Sequence, residues 1–112
     1  MKIILYHNHN CSKSRTCHEL LKKNNVKFEL RNYIKSPLKL NEIKEIISNL
    51  AGDTKEIIRK NKEFDDDLFK SKSRLSQFIY EDQKLLQRPI LFYEKYWVCR
   101  PPEKALEILG VS

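Results

Sequence analysis

Cys11 stands between a short apolar run, Lys2 to Tyr6, and a helical pattern that begins just after it, so its sulfur is predicted at a helix N-terminus. There the unpaired backbone N–H groups and the helix dipole favour a thiolate over a thiol, the form a nucleophilic cysteine needs. His7 four residues earlier, and Lys13 and Arg15 just after, would add donors and positive charge that depress the thiol further and attract an oxyanion. Ser12 and Ser14 add hydroxyl donors. Serine, threonine, aspartate and asparagine all cap a helix better than cysteine, so a cysteine at this place points to chemistry rather than to capping. His9 reads as an ordinary loop residue.

Two further cysteines read differently. Cys17 shares a helical face with Leu20 and Leu21, and Cys99 lies in an apolar run, so both are expected to be buried core thiols. If Cys11 and Cys17 share a helix, about 9 Å of axial rise separates them, beyond the reach of a disulfide. Three cysteines at no metal-like spacing suggest neither a disulfide framework nor a zinc site, and no tightly bound organic cofactor is indicated. Arg59, Arg88 and Arg100 each sit at the edge of an apolar segment. A guanidinium fork suits a tetrahedral oxyanion because it donates two parallel hydrogen bonds while staying charged, although single arginines more often make surface ion pairs.

The elements that must position these residues follow from pattern. Lys2 to Tyr6 reads as a buried strand running into the turn formers His7-Asn8-His9-Asn10, followed by a helix that stops at Asn24-Asn25 and a strand from Lys27 to Tyr33 in which Phe28 and Leu30 alternate with charge. After the break at Ser36-Pro37, Ile43, Ile46, Ile47 and Leu50 form a helical stripe with Gly52 as its expected stop. A second helical piece holds Ile57, Ile58 and Arg59, and a third holds Leu75, Phe78 and Ile79, with Asp65-Asp66-Asp67 between them. Pro89 to Tyr93 and Tyr96 to Cys99 form a tight antiparallel hairpin around Glu94-Lys95. Pro101-Pro102 then opens a last helix carrying Ala105, Leu106 and Leu109 and ending at Gly110. The predicted order is βαβ, three helices, ββα.

A chain of 112 residues, 40% hydrophobic and 33% charged, suits one compact domain, and its composition is too apolar for wholesale disorder. No apolar run approaches the ~20 residues of a membrane span, and the run after Met1 ends too early for a signal peptide, so a cytosolic protein is expected. The net charge of +7 is carried by the residues up to Lys62 and favours anionic partners. Single-strand nucleic-acid binders interleave such charge with aromatics on one face, which this sequence does not do. Lys22-Lys23 and Lys60-Asn61-Lys62 read more simply as solvated helix ends.

Four motifs, Tyr6-His7-Asn8-x-x-Cys11-x-x-Ser14-Arg15, Arg59-Lys60-Asn61, Arg88-Pro89-Ile90 and Cys99-Arg100-Pro101, run in order over essentially the whole chain. Together they resemble glutaredoxin-coupled arsenate reductases. The resemblance implies an α/β, thioredoxin-like fold in a single domain over 1–112, with a mixed four-stranded sheet, a helical insertion at about 37–86, and Pro89 as that fold's cis-proline. It implies that Cys11 is the nucleophile, that His7 tunes it, and that Arg59, Arg88 and Arg100, with Ser14 and Arg15, bind the oxyanion. Arsenate would be the substrate, glutathione a co-substrate and glutaredoxin the partner of a monomeric cytoplasmic enzyme, by way of a Cys11 thioester of arsenate. Three positions depart from the pattern: Ser12 stands where many members have glycine, and His9-Asn10 replaces a Pro-Ala-like pair. The family also contains thiol reductases that would need the same Cys11, and RNA polymerase-binding regulators with a Cys-x-x-Cys switch, which Ser14 precludes here.

Overall fold

The computed structural model describes residues 2–59 and 66–111. Lys60, Asn61, Lys62 and Asp65, used in the sequence reading, lie outside the described residues. Strand β1 (Ile4–His7) leads into helix α1 (Ser12–Lys23) and strand β2 (Glu29–Asn32). Helix α2 (Leu40–Ser48), 3-10 turns at Thr54–Ile57 and Asp66–Lys70, helix α3 (Lys72–Glu81) and a further 3-10 turn at Gln83–Leu85 follow. Strands β3 (Ile90–Tyr93) and β4 (Lys95–Val98) and helix α4 (Lys104–Leu109) close the chain. Among the described residues no helix is long and apolar enough to cross a membrane.

The sheet order is β2-β1-β3-β4, with β1 and β2 parallel and the other neighbours antiparallel, so it is the expected mixed four-stranded sheet. Because successive strand residues face opposite sides, Leu5 and Leu91 turn toward one core while Tyr6 and Ile90 turn toward another. The first core holds Leu5, Cys17, Leu21, Leu91, Cys99 and Ala105, and is closed by α1 and α4. The second packs Ile43, Ile46 and Ile47 of α2 and Leu75 and Ile79 of α3 against the opposite side. Three layers result, helices on both faces of a sheet.

Helix α1 ends as its asparagines suggest: Asn24 bonds the Leu20 carbonyl through both its amide N–H and its side chain, and Asn25 takes φ 57°. Gly110 likewise stops α4 at φ 71°. The hairpin turns more tightly than expected, with Tyr93 paired to Lys95 and Glu94 alone at the bend at φ 65°. Arg88-Pro89 is cis, and so is Arg100-Pro101.

Two expectations are corrected. Helix α2 stops at Ser48, before Leu50 and Gly52, because Leu50 leaves the helix to bridge Tyr96 at the sheet edge. Long-range pairing overrides the helical stripe there. The second helical piece is only a 3-10 turn ending at Ile57, since Ile58 pairs with Leu86 in an extended bridge. Leu30, one of the apolar residues that alternate with charge, is 45% exposed on β2, a sheet edge.

Burial separates residues that look alike in the sequence. Ile46→Ala, at a fully buried position, is expected to cost about 2–5 kcal/mol in urea unfolding, whereas Leu30→Ala should stay within about 0.5 kcal/mol of wild type. Equal losses from both would contradict the placement of β2 at the edge.

Candidate active site

The loop from β1 to α1 is built by Asn8, whose Oδ1 accepts from the Asn10 N–H at 2.9 Å while its carbonyl accepts from the Cys11 N–H at 3.0 Å. Cys11 is the extended N-cap of α1 (φ −103°, ψ 124°), and its carbonyl accepts the first helical bond, from Arg15 N–H at 3.0 Å. The amides of the first turn therefore have no intrahelical acceptor and are free to serve the sulfur. Burial pushes the Cys11 thiol up. Against it act the Ser14 N–H, the Arg88 side chain, the Lys13 N–H and the Arg88 charge, and the balance leaves the thiol below its ordinary value. The sequence expectation of a thiolate-favouring helix terminus thus has a geometric basis.

Arg88 reaches that sulfur because of sheet register. Tyr6 pairs antiparallel with Ile90, so Arg88, two residues before Ile90, lies level with Asn8 just past the end of β1. The side chain is only 8% exposed, with Nη1 donating to the carbonyls of Lys84 (2.8 Å) and Leu86 (3.4 Å). Arg100, though exposed, donates through Nη1 to the Arg88 carbonyl at 3.0 Å and to Gln87 Oε1 at 3.4 Å. Arg59 is brought to the same region by a short ladder in which its N–H bonds the Leu85 carbonyl and the Gln87 N–H bonds the Ile57 carbonyl. The fold therefore gathers the three arginines around the segment that enters β3.

Other expected site residues are placed differently. His7 was read as a source of positive charge, but it is 4% exposed and its pKa is lowered to about 4, first by burial and then by His18, His9 and Arg15. It is a neutral ring near pH 7 and adds no cationic attraction. Its Nδ1 lies 2.6 Å from the Ser14 hydroxyl, which also accepts from the Asn8 N–H at 3.0 Å. The Ser14 hydroxyl is thus spent on His7 and Asn8, with the residue fully buried, and what Ser14 offers the thiol is its backbone N–H. Arg15 is exposed and donates to the His9 carbonyl at 2.9 Å. It lines a cleft of about 590 Å³ with His7, His9, Ser12, Thr16, His18 and Glu19, a lining that includes neither Cys11 nor Arg88.

Cys17 and Cys99 are both fully buried, as expected of core thiols, and Cys99 is pushed upward by Cys17 and by desolvation. Among the described residues no three His, Cys, Asp or Glu side chains are grouped to hold a metal ion. Gln87, which joins Arg88 to Arg100, was missed by the sequence reading, and Asn8, which shapes the loop, was read only as one of its turn formers and part of the first motif. For Asn8 the turn-forming cluster around it was the available signal.

A four-stranded mixed sheet with helices on both faces, and a cysteine at the N-cap of the helix after the first strand, define a thioredoxin-like fold. The chain belongs to the ArsC family, whose model matches residues 6–108. It is 34% identical to an arsenate reductase of Haemophilus influenzae (strain ATCC 51907 / DSM 11121 / KW20 / Rd), over 97% of this chain and all of that one. It is 33% identical to the uncharacterised protein YfgD of Escherichia coli (strain K12), over 97% of this chain and 98% of the relative. Among solved structures, an arsenate reductase from Vibrio cholerae superposes with a TM-score of 0.79 at 29% identity, covering 96% of this chain and 98% of the other.

Two measurements check these electrostatics. With Cys17 and Cys99 fully buried, iodoacetamide labelling of the native protein should report Cys11 alone, with a pH midpoint below the ordinary thiol value of 9.0. Arg88→Gln should move that midpoint upward, since it removes a hydrogen bond and a charge that favour the thiolate. For His7 the sign is opposite to that of a charged histidine. Its folded pKa of about 4 lies below the unfolded 6.5, so the unfolded state takes up the proton first and stability is lost as pH falls from 6.5 toward 4. Urea unfolding across that window should fall more steeply in wild type than in His7→Asn; parallel slopes would remove His7 from the balance.

Proposed function

We propose that this protein is a glutaredoxin-coupled arsenate reductase in which Cys11 attacks arsenate. The observation that carries the reading is a thiol depressed by the first-turn amides of α1 and by the buried Arg88 guanidinium, which together form a cationic, donor-rich site beside the sulfur. Family membership and the likeness to arsenate reductases support it. In this reading Cys11 displaces one arsenate oxygen, which leaves as water once protonated, giving a Cys11–S–As(V) thioester. Glutathione then displaces a second oxygen at arsenic. A glutaredoxin thiolate attacks the glutathione sulfur, and the As–S bond breaks with its electron pair passing to arsenic. Two thiols leave as a mixed disulfide, As(V) becomes As(III), and water releases arsenite with Cys11 restored.

Arg88 is assigned to the oxyanion and to the sulfur, and Arg59 and Arg100 to the rest of the anion pocket. His7 acts by holding Ser14, whose amide faces the sulfur, and not by charge. Arg15 contributes its positive field from the neighbouring cleft. The enzyme acts as a monomer with no tightly bound cofactor, in a cytoplasm that keeps glutathione reduced. A second reading, thiol–disulfide reduction without arsenate, draws on the same depressed Cys11, because thiolate attack on a disulfide needs no oxyanion pocket. The regulator reading is disfavoured by Ser14, which occupies the place of a second switch cysteine.

The test is arsenite production from arsenate with glutathione, glutaredoxin and a recycling reductase. Cys11→Ser should abolish turnover while keeping the fold, since serine caps α1 as well. Arg88→Lys should lower kcat/KM about tenfold or more, because one ammonium cannot replace a fork that reaches both sulfur and oxyanion. Arsenite formation that survives in Cys11→Ser would overturn the assignment. Absence of turnover in a wild type that still reduces glutathionylated disulfides would select the thiol-reductase reading.

A further inference from the structure

Tyr33 follows β2 by one residue. Its N–H donates to the His7 carbonyl at 3.3 Å, which carries the parallel β1–β2 pairing one step past Asn32. Its backbone therefore stands beside the start of the loop that presents Cys11, at the carboxyl end of the two parallel strands, where open α/β sheets receive their ligands. The ring is 2% exposed and packs in the α2–α3 core.

Buried polar atoms in folded proteins are nearly always hydrogen-bonded, and leaving one unmet is costly. Among the described residues two buried side-chain atoms have no partner: the Tyr33 hydroxyl and Arg88 Nε. Both belong to one place. The Arg88 guanidinium lowers the Cys11 thiol, and the Tyr33 hydroxyl lies in the electrostatic field of Arg88, Cys11 and Arg59. Asn8 also approaches the phenol, without reaching hydrogen-bond geometry. Asn8 lowers the phenol, the direction in which a donor acts, and a donor cannot take the phenol's proton.

Arg88 Nε is a donor with no capacity to accept, and the phenol keeps its proton because burial pushes it up to about 12. Two orphaned donors beside a nucleophilic sulfur lack one thing, an acceptor-rich anion. We propose that Tyr33 is a fourth side chain of the oxyanion site, donating its O–H to an oxygen of the tetrahedral anion held over Cys11, next to the Arg88 Nε–H. The inference rests on the oxyanion reading of this site but not on arsenate being the anion reduced. As a neutral donor Tyr33 adds a directed hydrogen bond without adding charge, so it fixes the anion's orientation at the sulfur where the arginines supply the attraction.

The test uses Tyr33→Phe, which keeps the ring, with the full-length protein and arsenate, phosphate and sulfate as separate probes. Each anion's protection of Cys11 against iodoacetamide gives its Kd without turnover. For the anion that protects wild type, Tyr33→Phe should weaken protection roughly tenfold or more, and unfolding by urea in anion-free buffer should be as in wild type or more resistant, since an unmet hydroxyl has been removed. Unchanged protection in Tyr33→Phe, with wild type protected, would overturn the role of Tyr33 and leave the oxyanion site standing. A loss of urea resistance in anion-free buffer would also overturn it, marking a structural hydroxyl. Protection by phosphate that depends on Tyr33, in a protein that does not reduce arsenate, would uphold this inference while the proposed reaction failed. No protection of wild type by any of the three would overturn both.

Discussion

The electrostatic pairing of the Arg88 guanidinium with the Cys11 thiol is the interaction on which the site depends. A guanidinium that is 8% exposed has lost most of its water, a loss of several kcal/mol unless hydrogen bonds and an opposite charge replace it. The carbonyls of Lys84 and Leu86 replace part, and the guanidinium in turn favours the ionised form of Cys11. The dependence is mutual, because burial alone would hold Cys11 as an unreactive thiol. The surroundings of Cys11 are thus donor-rich and organised for negative charge.

Bringing these two groups together is the work of the sheet. Cys11 is delivered by the parallel β1–β2 unit and its crossover helix, and Arg88 by the antiparallel pairing of β1 with β3. The segment before β3 is held by Ile58 pairing with Leu86, which also carries Arg59 to the same place. A change in the register of β1 against β3 by one residue would turn Ile90 and Leu91 to the wrong cores and carry Arg88 away from the sulfur. The packing of the two cores and the geometry of the site are thus specified by the same pairing.

Polar residues around Cys11 divide between charge and scaffold. The arginines carry the positive field. His7, Ser14 and Asn8 form a buried, uncharged network that ties the end of β1 to the first turn of α1 and so aims the first-turn amides at the sulfur. A charged imidazole in that network would have to be desolvated among His9, His18 and Arg15, which is why the ring stays neutral. Orientation is supplied by neutral groups and attraction by permanent cations, so the field at Cys11 does not vanish as pH rises through the histidine range.

The sequence by itself determined what depends on near neighbours. The placement of Cys11 at a helix N-terminus, the asparagine stop of α1, the hairpin of β3 and β4, the glycine end of α4 and the burial of Cys17 and Cys99 all follow from periodicity, capping and turn chemistry within a few residues. The four separated motifs carried the family, since their order and spacing are themselves sequence properties. What only the tertiary structure decided are matters of long-range pairing and burial. Leu50 leaves its helical stripe for Tyr96, Ile58 pairs with Leu86, and Leu30 is left exposed on an edge strand. His7 loses its charge because desolvation depends on everything packed around a ring, and Ser14 loses its free hydroxyl to a partner seven residues away. Tyr33 carries no local mark in the sequence, for its unmet hydroxyl exists only once the tertiary packing has buried it within the field of Arg88 and Cys11.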